Sequence, residues 1–111
     1  MSNTPVDFAA LDLRVGTVIA AEPFPEARKP ALKLTIDFGP ELGIKRSSAQ
    51  ITMHYAPDQL VGAQVVAAVN LGTRRIAGFE SEVLVLGATP TPGEVVLLMP
   101  ERPVPDGSRI S

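Results

Sequence analysis

Residues 32–48 read LKLTIDFGPELGIKRSS. Leu32, Leu34, Ile36 and Phe38 alternate with Lys33, Thr35 and Asp37, the period of a strand with one buried face. Gly39-Pro40-Glu41-Leu42-Gly43 breaks that alternation as a turn, and residues 44–48 begin a partner strand. The stretch therefore predicts a hairpin with a five-residue loop. On it, Lys33 and Lys45 are expected to share the outward face, with Arg46 at the rim of the sheet or reaching past it.

The rest of the chain reads in the same style. Residues 13–21, LRVGTVIAA, are rich in β-branched side chains and stop before Pro23, and Gly16 inside them predicts a bulge or a bend. Residues 49–60 lose the alternation and predict a short helix and a helical turn, with Gly62 as the stop. Residues 65–69 predict a fourth strand, and 73–76, 83–86 and 95–98 supply the remaining short ones. Asp7 can cap a single helical turn over 8–11. The proline-rich end, PERPVPDGSRIS, is expected to run extended along a surface. Short strands separated by turn signals indicate an all-β barrel or sandwich, here one domain spanning residues 1–111.

Composition bounds the function. The chain is 45% hydrophobic and 20% charged, a folded balance, and it has no cysteine for a disulfide or a thiolate metal site. No run reaches the roughly 18 apolar residues of a membrane span. Residues 1–7 lack the basic and apolar regions of a signal peptide, so a cytoplasmic protein without membrane insertion is expected. Net charge is −2, which argues against indiscriminate coating of nucleic acid. Residues 26–54, however, hold five Lys and Arg against three Asp and Glu, enough for a local basic face.

No catalytic set is visible. His54 is the one histidine, Ser47-Ser48 has no base signalled beside it, and neither phosphate-binding glycine motif occurs. No enzyme activity, metal or cofactor is expected. Arg74 and Arg75 are the stronger candidates, because Ile76 and Phe79 follow as exposed apolar neighbours. Cations beside apolar groups suit extended peptides or unstacked nucleotides, although paired arginines also serve as solvated guards of a strand edge. Strands 83–86 and 95–98 are apolar on both faces, so their outward side chains need a cover, either a flanking helix or a second subunit. A homodimer is expected.

The separated stretches DFAALDLRVGTVIAAEPFPEA (7–27), LKLTIDFG (32–39), SSAQI (47–51), VAAVNL (66–71) and RRIAGFESEVLVLGA (74–88) resemble the tRNA-binding-domain family. Members of that family are OB-fold modules, free-standing or appended to aminoacyl-tRNA synthetases. The resemblance implies a five-stranded OB-fold barrel with short helical segments, and a homodimer whose terminal extensions contribute to the interface. FPEARKPALKLTIDFG, IKRSSAQIT and RRIAGFESEVLVLG are similar to the export-related chaperones of the family. That likeness implies binding of unfolded or presecretory polypeptide without catalysis, with tRNA as the alternative ligand. Asn70, Arg74, Arg75, Ser81 and Glu82 match the family pattern. The tRNA-binding members usually continue the Ser-Glu pair with Gly-Met, where this chain has Val83-Leu84. The candidate binding set is thus Lys33, Lys45, Arg46, Asn70, Arg74, Arg75, Ile76, Phe79, Ser81 and Glu82.

Overall fold

The structure is a computed structural model that describes residues 4–111; the first three residues of the 1–7 stretch considered above lie outside it. The alternating stretch forms β2 (Leu32–Asp37), paired antiparallel with β3 (Ile44–Ala49) from Leu32↔Ala49 to Asp37↔Ile44. The loop between them is one helical turn, α1 (Gly39–Leu42). The Asp37 carboxylate accepts from the Gly39 amide at 2.9 Å. Pro40 stands in the first turn, where its missing N–H removes no helical bond.

β1 (Leu13–Pro23) pairs through its first half with β4 (Gln64–Ala68) and through its second half with β2. β4 in turn pairs with β7 (Leu84–Val85), giving the strand order β3-β2-β1-β4-β7. β3 and β7 approach each other, so the sheet nearly closes into the expected five-stranded OB-fold barrel. The predicted helical break is α2 (Pro57–Leu60), which packs over β1 and buries Leu60. The strand predicted over 73–76 takes no place in the barrel: β5 (Arg74–Ile76) and β6 (Phe79–Ser81) form a separate hairpin. β8 (Gly87–Ala88) and β9 (Val96–Leu97) make a second small pair. Among the described residues, no helix is long and apolar enough to cross a membrane.

Leu34, Ile36 and Phe38 point into the barrel with no exposed surface and meet Val18, Val65 and Leu60 there. Each such side chain contributes roughly 1.5–3 kcal/mol by leaving water. The register irregularity of β1 lies not at Gly16, where a bulge or a bend is expected, but between Val18 and Ala20 in its pairing with β2. Gly16 serves close packing instead. A Cβ there would lie 2.6 Å from Ile36 Cγ2 and 2.7 Å from Phe38 Cδ1.

The C-terminal end does more than follow a surface. Where β2 leaves the first half of β1 unpaired, residues 107–110 take its place. The Gly107 amide donates to the Val15 carbonyl at 2.7 Å, Val15 donates to Ser108 at 2.9 Å and Ile110 donates to Leu13 at 2.9 Å. Side chains fasten the approach: Gln64 bonds both backbone groups of Val104, at 2.7 and 3.0 Å, and Thr17 Oγ1 donates to Asp106 at 2.6 Å. Gly107 has φ +88 and lies so close to the Phe38 carbonyl that a Cβ would come within 2.6 Å of it. Only glycine meets both demands.

Candidate binding cleft

Strand register decides which basic residues share a face, because residues directly opposite in an antiparallel pair project to the same side. Thr35 is opposite Arg46 and Lys33 is opposite Ser48, so Lys33, Arg46 and Ser48 lie together on the outward face. Lys45 is opposite Ile36 and belongs to the other row. The expectation that Lys33 and Lys45 share a face is therefore corrected: Arg46 is the partner of Lys33. The cause is the helical turn α1, which sets the hairpin register in a way that loop length alone does not reveal.

The β5–β6 hairpin is fastened to this face. Ser81 Oγ accepts from the Ser48 amide at 3.0 Å. Glu82 accepts from the Arg46 amide through Oε1 at 3.1 Å and donates its own amide to the Arg46 carbonyl at 2.8 Å. Ser81 and Glu82 thus anchor the hairpin. Its turn, Ala77-Gly78, has positive φ at both residues, 46 and 81, the tight two-residue geometry that matches strand twist. The alternation this imposes buries Phe79 and Ser81 and leaves Glu80 outside.

Phe79 is accordingly not an exposed contact, as expected from sequence, but a foundation. It is 5% exposed and packs with Phe24 and Ala31, the two rings 5.4 Å apart between centroids. Arg46 places its guanidinium 4.3 Å from the centre of the Phe79 ring. Lys33 Nζ lies 4.8 Å from the Phe24 ring centre and 5.5 Å from that of Phe79. Two cations from adjacent strands are therefore seated over one aromatic pair, an attraction worth roughly 0.5–1 kcal/mol each at exposed sites.

Beside this stack opens a cleft of about 470 Å³, lined by Ser48, Leu71, Thr73, Arg74, Ile76, Val83 and Leu84 among others. Leu71 and Leu84 are half exposed, at 54% and 50%. Arg74 is part of the wall. Arg75 alternates away from it, opposite Glu80 on the hairpin. Asn70 uses both ends of its amide elsewhere, accepting from Asp12 and donating to Ala10 at 2.9 Å each, which pins the start of β1.

The basic residues at the cleft stand outside the ion pairs of the fold, although Glu22 lies opposite Lys33 and Glu80 opposite Arg75. Among the described residues, ion pairs join Arg14 to Asp12 and Glu41, and Arg102 to Glu101, and a side-chain contact joins His54 to Glu94. None involves Lys33, Lys45, Arg46, Arg74 or Arg75. His54 Nε2 lies 2.7 Å from Glu94, which also accepts from Thr91 at 3.0 Å. These bonds, the His54 one foremost, hold the Glu94 carboxyl below its ordinary 4.5. A carboxyl with a lowered pKa stabilises the fold above its unfolded value, and that contribution is lost as pH falls through the lowered one. Among the described residues, no group of three or more His, Cys, Asp and Glu side chains is arranged to hold a metal ion.

Sequence reading passed over Leu71, Thr73 and Phe24. Phe24 carried a usable signal, an aromatic side chain held between Pro23 and Pro25 in a loop otherwise polar by composition.

The family model for the tRNA binding domain matches residues 13–109. The chain belongs to this family. Among solved structures, the domain is similar to the chaperone CsaA of Bacillus anthracis, with 56% identity, a TM-score of 0.91, and 97% of this chain and 100% of that one covered. It is also similar to the CsaA chaperone of Picrophilus torridus, at 47% identity, TM-score 0.87 and 95% coverage of both chains. A methionine–tRNA ligase of Porphyromonas gingivalis is 42% identical over 104 residues, 94% of this chain. The tRNA-binding domain described here spans 15% of that curated relative's length.

Proposed function

We propose that this domain is a non-enzymatic chaperone that binds unfolded, including presecretory, polypeptide at the cleft in the cytoplasm. The observation that carries the reading is the cleft's wall of exposed aliphatic side chains, Leu71 and Leu84, between a strand edge and a cationic rim. The full-length likeness to CsaA chaperones supports it. Burial of Phe24 and Phe79 supports it too, since neither ring is open for a base to stack upon, the usual contact of single-strand binders. The second reading is tRNA binding, favoured by basic residues that, among the described residues, form no ion pair. Lys33, Arg46, Arg74 and Ile76 line or adjoin the site; Asn70, Ser81, Glu82 and Phe79 build it.

The two readings differ in salt dependence. For a polypeptide ligand, Leu84→Ala should weaken binding about tenfold, since a buried aliphatic contact is worth roughly 1.5 kcal/mol or more. Arg74→Ala combined with Arg75→Ala should cost less, with a shallow salt slope. For tRNA, each lost phosphate contact should instead lower the slope of log affinity against log salt by about one unit. Tight, steeply salt-dependent tRNA binding without affinity for unfolded chains would establish the second reading.

The domain also pairs as a homodimer in this proposal. Val96, Leu98 and Met99 leave a row of exposed apolar side chains, and Val6 and Phe8 another at the N-terminal end. Light scattering at micromolar concentration should give twice the chain mass of 11.7 kDa. A monomer mass would remove the dimer.

A further inference from the structure

We infer that the cleft selects polypeptide segments in which Asp or Glu flanks an aliphatic anchor, and disfavours segments flanked by Lys or Arg. The inference rests on the polypeptide reading above and names the substrate class of that site. Lys33 and Arg46 stand on neighbouring strands of one face and converge on the Phe79 ring. Like charges brought together in this way repel, and a nearby carboxylate would ordinarily relieve the repulsion. Among the described residues neither cation has an ion-pair partner: Glu22 stands opposite Lys33 on β1 without pairing with it, Glu82 accepts from the Arg46 amide rather than its guanidinium, and Glu80 lies opposite Arg75 on the outer side of the hairpin.

Ser48 connects the stack to the cleft. It is opposite Lys33 on the sheet and also lines the cleft, whose wall carries Arg74 as well. A segment that seats an aliphatic side chain against Leu71 and Leu84 thus finds cationic side chains on the same face. Carboxylates on the flanks of that segment would relieve an existing repulsion, whereas ammonium or guanidinium groups would add to it. Among the described residues, no Asp or Glu lines the cleft itself to reward a basic segment.

The test uses fluorescent peptides that share one aliphatic core and differ only in flanks of Glu, Gln or Lys. Their binding to the intact protein is read by anisotropy. Each exposed ion pair multiplies affinity by up to about fivefold, so Glu flanks should bind about tenfold tighter than Gln, with Lys weakest. The order should compress between about 0.1 M and 1 M salt, as the screening length falls from about 10 Å to about 3 Å. Lys33→Gln, Arg46→Gln and Arg74→Gln together should erase the order, with circular dichroism confirming the fold. Equal binding of all three peptides would overturn the selectivity while leaving polypeptide binding intact. An order that persists in the triple variant would also overturn it, by placing the selecting charges elsewhere. Binding of none of them, with tRNA bound instead, would overturn the polypeptide reading itself and this inference with it.

Discussion

Phe79→Ala should lower the unfolding free energy by about 3–5 kcal/mol, the range for removing a buried aromatic side chain. The ring is 5% exposed and lies between Phe24, Ala31 and the hairpin's own Ile76. Its loss opens a void in a cluster too small to refill it, because Ala27 and Ala31 have no length to spare. Arg46 and Lys33 also lose the surface over which they sit. Chemical denaturation of the variant should therefore show a lower midpoint, and Phe79→Leu should recover much of the difference. Were Phe79 an exposed ligand contact, stability would stay within about 0.5 kcal/mol of the parent and only binding would fall. A denaturation midpoint unchanged by Phe79→Ala would reject the foundation role.

Phe38→Ala should cost a similar 3–5 kcal/mol, for a different reason. Phe38 has no exposed surface and stands at a junction. Its ring fills the space that Gly16 leaves on β1, its amide donates to Gly43 at 3.0 Å, and its carbonyl abuts Gly107. Truncation there hollows the barrel beneath the points where α1 and the C-terminal segment are attached. Phe8→Ala is the matched control, since Phe8 is 50% exposed and its loss should change stability by no more than about 0.5 kcal/mol. Equal denaturation midpoints for the two variants would mean that the barrel interior is not where this structure places it.

How much of this was legible beforehand depended on the reach of each residue's partners. The alternation of residues 32–38 was long enough to show which face is buried, and β2 follows it residue by residue. The β5–β6 hairpin has three residues in each strand, too few for a period, so the inward turn of Phe79 was hidden. Asn70, Ser81 and Glu82 carried the family pattern, yet their bonds run to Asp12, Ser48 and Arg46, far along the chain. Their structural duties could not be seen without the fold. Lys45 failed at the register, where a helical turn stood in place of an open loop. Arg74 and Arg75 were found from their neighbours alone; that they diverge followed only from their pairing with Ser81 and Glu80.

The C-terminal segment carries a consequence for the protein's solubility. By occupying the side of β1 that β2 leaves open, with a bridge between Arg14 and Arg109 at its centre, it removes a row of unpaired backbone donors and acceptors. An uncovered row of that kind is a template on which strands of other molecules add. A protease nick before Gly107 would therefore turn a self-contained barrel into one with an adhesive margin, prone to edge-to-edge aggregation. In a protein whose proposed clients are themselves unfolded chains, that margin would offer them a second, unselective place to attach.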